Sequence, residues 1–224
     1  MSGDPGVRLP FAGRAEAGVL LGERLSALGL EDPIVLALPR GGVEVAVPVA
    51  VRLGGVLDVL VSRKIGHPAN PEFGVGAVAE GGEPVFDEGV LARLGLTEED
   101  LAHVVEAERA ELARRVEVYR RERRLPAPGG RNVVVVDDGL ATGVTARAAL
   151  RAVGAGRPGR LVLAVPVAAP ETARAMRTEA DEVVTLATPP DFYAVGQWYR
   201  RFDQLGDADV LDLLDTWARA RDSV

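Results

Sequence analysis

The chain has 224 residues, 47% of them hydrophobic and 26% charged, an ordinary globular mix that excludes disorder as the main state. It has no cysteine and only two histidines, His67 and His103, which excludes disulfides, thiolate chemistry and a multi-histidine metal centre. Its formal net charge of -7 argues against a nucleic-acid footprint.

In chain order, Ala17, Leu20, Leu21, Leu25 and Leu28 recur at helical spacing and predict a helix over 14–28, ended by Gly29. Residues 34–38 form a continuous apolar run, the pattern of a strand buried on both faces. Pro39, Arg40, Gly41 and Gly42 break it. A helix over 43–53 follows despite Pro48, then a second buried strand over 56–61. The stretch 62–73 is polar and contains Gly66, Pro68 and Pro71, so it is expected to be loop. Residues 74–79 and 84–86 read as a short hairpin.

Thr97, with Asp100 three residues on, has the capping-box pattern and starts a long helix. Its apolar stripe is Leu101, Val104, Val105, Leu112, Val116 and Tyr119. The basic run 120–124 suits a helix C-terminus and reads as a solvated face. A Pro/Gly link over 125–131 leads to a third buried strand, 132–136. Then come a loop (137–145), a helix (146–153), a strand (161–165), a helix (171–179), a strand (183–186) and a closing helix (209–218).

Buried strands alternating with helices predict an α/β fold: a central parallel sheet flanked by helices, with ligands at the carboxyl ends of the strands. One domain is expected over 1–224, with a core over 30–187 and a long helical insertion over 88–125. A C-terminal segment with aromatic residues covers 188–220. No apolar run approaches the length of a membrane span, and the first 18 residues have no hydrophobic leader. A cytoplasmic protein with neither membrane nor nucleic-acid partners is the expectation.

The strongest signal follows the third strand. Four valines, 133–136, bury a central strand, and Asp137 and Asp138 then sit side by side at its carboxyl end. Adjacent carboxylates repel unless a cation or hydroxyl groups use them. Gly139 and Gly143 allow close approach of backbone N–H groups to a phosphate, and Thr142 and Thr145 add hydroxyls. The next helix aims its N-terminus at the same place. Carboxylates beside a phosphate cradle suggest a sugar phosphate.

This segment, D-D-x-x-A-T-G-x-T after a hydrophobic strand, resembles the phosphoribosyl pyrophosphate (PRPP) signature of type I phosphoribosyltransferases. The order and spacing are similar over roughly 36–186, and the whole chain resembles a group of small bacterial predicted phosphoribosyltransferases. The resemblance implies that Asp137 and Asp138 hold the ribose hydroxyls and stabilise positive charge developing on the ribose. It implies Mg2+ as cofactor, reached by the same two carboxylates directly or through water. Gly139, Ala141, Thr142, Gly143, Val144 and Thr145 would bind the 5-phosphate. Pro39, Arg40, Gly41 and Gly42 correspond to the pyrophosphate loop, which in the family often has a non-proline cis peptide.

Arg63 and Lys64 fall where family members often place basic residues and a mobile catalytic loop. Lys64 is also the one lysine among 26 Lys and Arg residues, which invites a chemical reason: a compact, rotatable ammonium rather than a planar fork. His67, in the same stretch, reads as a loop residue rather than a general base. Of ten aromatic residues, five lie between Phe192 and Phe202. They suit either a satellite core or a hood that stacks a planar acceptor. Phe192 and Tyr193, after Pro189 and Pro190, are the candidate acceptor contacts, and Trp198 is the structural one. Tyr199 and Phe202, three apart, are expected to share a helical face. Family resemblance implies a homodimer acting on PRPP and a small nitrogenous acceptor. The alternatives are a PRPP- or nucleotide-binding regulator with little turnover and a nucleotide phosphorylase or hydrolase using the same fold.

Overall fold

The computed structural model describes residues 7–120 and 123–221. Five strands form a parallel sheet: β1 (Ile34–Ala37), β2 (Val56–Val59), β6 (Asn132–Val136), β7 (Arg160–Val167) and β8 (Glu182–Ala187), in the order β2-β1-β6-β7-β8. Four of them are almost wholly apolar because both faces are covered. Val35, Ala37, Val134 and Val136 face one core layer, and Ile34, Leu36, Val133 and Val135 face the other.

Helices α1 (Arg14–Ser26) and α2 (Gly41–Leu53) lie on the first face, packed on each other. Gly18 permits this approach: a Cβ there would lie 2.4 Å from the Val45 carbonyl oxygen. Helix α5 (Val144–Ala155) covers the second face, with Ala146, Ala149, Leu150 and Val153 buried. Helix α6 (Pro170–Ala175) and a 3-10 turn (Met176–Thr178) precede β8. The sheet order turns outward in both directions from β1 and β6. The crevice at their carboxyl ends is therefore the switch point of the fold.

The stretch 62–73 is not loop. It forms β3 (Ser62–His67) and the start of β4 (Asn70–Ala79), paired antiparallel, and β4 pairs in turn with β5 (Val85–Phe86) as expected. The arm is polar because much of it projects into solvent, so neither the alternation nor the apolar run of a buried strand is present. Gly66 lies where a Cβ would meet the Pro71 carbonyl oxygen at 2.3 Å. The His67 Nδ1 accepts the Ala69 N–H at 3.0 Å within the turn.

The insertion contains α3 (Glu88–Leu94), capped by Asp87, and α4 (Ala102–Arg120) after a 3-10 turn (Glu99–Leu101). Thr97 and Asp100 make the reciprocal capping contacts. The basic run at the end of α4 is not simply a solvated face, although Arg121 and Glu122 lie outside the described residues. Arg120 is 2% exposed, paired with Glu80 and 3.5 Å from Asp58, and it donates to the Val59 carbonyl at 2.7 Å. Burial raises the Asp58 carboxyl above its ordinary range despite the guanidinium. Arg120→Met is expected to lower stability by about 3–5 kcal/mol, because it leaves buried carboxylates without their cation. Urea unfolding of the variant checks this, and a loss below about 1 kcal/mol would contradict it.

Helix α7 (Asp207–Arg221) closes the chain, with Val210 and Leu214 buried. Before it, 199–206 is irregular rather than helical. Tyr199 and Phe202 still stack, at 5.2 Å between centroids, but they do so across a bend of the chain and not along a helix. The edge of this segment pairs with residues 11 and 12: Phe11 N–H donates to the Trp198 carbonyl and Arg200 N–H to the Phe11 carbonyl, both at 2.8 Å. Among the described residues, no helix is long and apolar enough to cross a membrane.

Candidate active site

The loop after β1 and the loop after β6 meet at the switch point. Ala37 and Val136 are in register, and the Leu38 N–H donates to the Val136 carbonyl at 2.8 Å. The first loop contains a cis peptide between Pro39 and Arg40 and passes directly into α2 at Gly41. Glycine is required twice there. A Cβ on Gly41 would lie 1.9 Å from Asp138 Oδ2, and one on Gly42 would lie 2.7 Å from the Val136 carbonyl oxygen and 3.0 Å from Asp137 Cα. The two acidic residues thus lie against the two glycines.

Asp137 and Asp138 are half-buried. The Asp137 carboxylate accepts the Asp138 N–H at 2.8 Å. Burial, and then the charge of Asp138, push the Asp137 carboxyl well above the ordinary carboxylate range. Burial also raises Asp138, against the opposing pull of Arg14, whose Nε donates to Asp138 Oδ2 at 2.8 Å. The Tyr199 hydroxyl donates to the Asp138 carbonyl at 2.5 Å, and burial raises its own pKa.

Beyond the carboxylates, Gly139 and Leu140 are buried, whereas Ala141 and Thr142 are exposed. Gly143 adopts φ +74°, which favours glycine, and precedes α5 with no side-chain cap. The first amides of α5, from Val144 and Thr145, therefore open toward the loop. Thr172 buttresses the turn through its hydroxyl on the Ala141 carbonyl at 2.6 Å.

Arg40 reaches away from α2 toward the C-terminal segment. Its Nη1 donates to the Leu205 carbonyl at 2.9 Å, and its Nε lies 3.2 Å from Asp207. Asp207 also accepts the Tyr119 hydroxyl, and this bond holds its carboxyl below the ordinary range. A cavity of about 380 Å³ is lined by Arg14, Arg40, Gly41, Arg115, Gln204 and Leu205, placing three guanidiniums beside the first loop.

The structure brings Pro39, Arg40, Gly41 and Gly42 together with Asp137 and Asp138. It places Arg63 and Lys64 on β3, with other partners. Arg63 Nε donates to Glu108 of α4 at 2.7 Å, and Lys64 Nζ to the Glu72 carbonyl at 2.8 Å. Lys64 therefore sits in a paired strand and not in an irregular loop. Phe192 is half-buried beside Trp198, at 6.2 Å between centroids, and Tyr193 is 86% exposed. Val195 of the same loop covers Gly139, where a Cβ would meet its Cγ1 at 2.5 Å.

Sequence reasoning missed Arg14, Tyr199, Arg115 and Asp207. Arg14 did leave a signal: it falls on the buried face of α1, in phase with Ala17, Gly18, Leu21 and Leu25, where an arginine is out of place.

A family model, that of the phosphoribosyl transferase domain, matches residues 13–200, and the chain belongs to the type I phosphoribosyltransferase family. Two Mycobacterium tuberculosis proteins, from strains CDC 1551 and H37Rv, each named "Putative phosphoribosyl transferase", are 45% identical to it over 206 residues. The match takes in 92% of this chain and 46% of theirs, so the chain spans about half the length of these relatives. The crystal structure of TT1426 from Thermus thermophilus is 49% identical with a TM-score of 0.79, over 93% of this chain and 99% of that one. The AQ2163 protein of Aquifex aeolicus shares the fold, at 16% identity and a TM-score of 0.51 over 90% of this chain and 84% of that one.

Proposed function

We propose that this chain transfers a phosphoribosyl group from PRPP to a nitrogenous, nucleobase-like acceptor with release of pyrophosphate. The observation that carries the reading is the contact of the two loops at the switch point, where the missing side chains of Gly41 and Gly42 let the first loop close onto Asp137 and Asp138. A ligand with sugar hydroxyls and phosphates at both ends suits that crevice.

In this reading the 5-phosphate lies on the first amides of α5, with the Thr142 and Thr145 hydroxyls and the turn of Gly139, Ala141, Gly143 and Val144 around it. Asp137 and Asp138 accept from the ribose hydroxyls. The acceptor nitrogen bonds to C1 as the C1–O bond breaks, the electrons of that bond leave with pyrophosphate, and the proton lost from the acceptor nitrogen passes to the departing pyrophosphate or to solvent. Positive charge develops on the ribose ring, and the adjacent carboxylates stabilise it. The amides of the loop Pro39, Arg40, Gly41 and Gly42, with the Arg40 guanidinium, take the leaving pyrophosphate. Arg40 keeps its contacts to Leu205 and Asp207 as it does so and turns its remaining N–H groups to the phosphate oxygens. Arg63 and Lys64, on the β3–β4 arm, add cationic charge to the same anion once they exchange Glu108 and the Glu72 carbonyl for it. Phe192 and Tyr193 flank the acceptor, and a homodimer is the expected assembly.

Two hard oxygen donors suit magnesium, which commonly takes one or two carboxylates and completes its shell with water and substrate phosphates. Asp137 and Asp138 are the residues that would hold magnesium, which would supply charge neutralisation for the leaving diphosphate.

Assay of PRPP-dependent pyrophosphate release with magnesium across a library of nitrogenous bases tests the reading. Release with one class of base is the expected result. PRPP binding without release for any base would favour the regulatory alternative. In the same assay, Lys64→Arg is expected to lower turnover about tenfold or more with PRPP affinity nearly unchanged, because the planar fork cannot replace a rotatable ammonium. Turnover equal to wild type would remove Lys64 from the mechanism.

A further inference from the structure

Arg14 lies outside both loops, yet its side chain reaches Asp138, helix α2 and the C-terminal segment at once. Its side chain is 7% exposed. The Nε donates to Asp138 Oδ2 at 2.8 Å, and Nη1 donates to the Asp203 carbonyl at 2.9 Å and lies 3.8 Å from Glu44. Its guanidinium carbon sits 3.9 Å above the centre of the Phe202 ring, which stacks in turn on Tyr199. Tyr199 closes the circuit by donating to the Asp138 carbonyl. A Cβ on Gly41 would strike Arg14 Nε at 2.9 Å as well as Asp138, so the guanidinium, the carboxylate and the first loop pack as one unit.

We propose that Arg14 is a positioning residue for phosphoribosyl transfer: it fixes the Asp138 carboxylate against Gly41 and couples that carboxylate to the C-terminal segment 199–207. The inference rests on the PRPP-binding reading above. A guanidinium can do this because its donors point along fixed directions. One edge holds the carboxylate, another holds a backbone carbonyl, and its face stacks on an aromatic ring. Segment 199–207 meets the other loop too, where Leu205 and Asp207 hold Arg40. Order in that segment and geometry at the two loops therefore rise and fall together. A ligand seated on Asp138 tightens the segment, and by linkage a tightened segment binds that ligand better.

Titration calorimetry with PRPP and Mg2+, and amide hydrogen exchange of 199–207 with and without saturating PRPP and Mg2+, test the proposal. In wild type the ligand is expected to slow exchange across 199–207. Arg14→Lys keeps the charge but cannot hold carboxylate, carbonyl and ring at once. It is expected to bind PRPP about tenfold more weakly and to lose the slowing at saturation. Phe202→Leu removes only the ring and is expected to lose the slowing with about two- to threefold weaker binding, and it carries the test if Arg14→Lys does not fold.

A purely structural Arg14 would lower thermal stability yet leave the affinity and the ligand-induced slowing of the folded variant as in wild type, which overturns the proposal. So does wild-type protein that binds PRPP with no change in 199–207, or an Arg14→Lys affinity equal to or above wild type. Wild-type protein that does not bind PRPP at all overturns the functional reading, and this inference with it, before any variant is made.

Discussion

Asp137→Asn is expected to raise the melting temperature at pH 7.5 while weakening PRPP binding about 100-fold or more, the loss of roughly two charge-assisted hydrogen bonds. Both effects have one origin. Burial and the adjacent Asp138 charge raise the Asp137 carboxyl well above its ordinary value. From the ordinary carboxylate pKa up to that raised value, the folded state holds more protons than the unfolded state. Stability contributed at low pH is therefore lost as pH rises through this window. Asparagine cannot ionise and escapes the loss, and its Oδ1 can still accept the Asp138 N–H. About 1 kcal/mol recovered corresponds to roughly 2–4 °C for a domain of this size. Calorimetric melting across pH should show the two proteins converging at acid pH and separating as pH rises. A variant no more stable than wild type at pH 7.5 would contradict the buried-charge account, and unchanged PRPP affinity would remove Asp137 from the site.

Gly42→Ala is expected to destabilise the protein by about 1–3 kcal/mol and to abolish measurable PRPP binding. The added methyl would sit 2.7 Å from the Val136 carbonyl oxygen and 3.0 Å from Asp137 Cα, both backbone atoms of a central strand and its loop. Neither can swing aside as a flexible side chain could, so the two loops must separate. Gly41→Ala tests the contrast. Its methyl meets the Asp138 carboxylate and the Arg14 guanidinium, which are side-chain ends able to rotate. It should misplace Asp138, so that affinity falls with a smaller loss of stability than in Gly42→Ala. Denaturant unfolding paired with PRPP titration separates the cases, and equal stability of Gly42→Ala and wild type would refute the steric argument.

The parallel sheet and the helices on its two faces were legible in the residues, because strands buried on both sides must be continuous apolar runs and surface helices must carry a stripe. So was the substance of the loop after β6. The four valines, the paired acids, the small-residue turn and the helix that follows are local features, each with its own physical requirement. The Thr97–Asp100 cap was legible for the same reason.

The β3–β4 arm was not legible, because a polar two-stranded projection owes its form to cross-strand backbone bonds and to Gly66 beneath Pro71, not to any periodicity. Nor was the burial of Arg120, since its partners Asp58 and Glu80 lie 62 and 40 positions earlier in the chain. The candidate site itself was decided only in three dimensions. Asp138 and Arg14 are 124 residues apart, and Arg40 and Leu205 are 165 apart. The sequence supplied the charges, but their pairing depends on strand order and on segment 199–206 crossing the switch point. Tertiary packing sets those distances, and with them the energies of the charges.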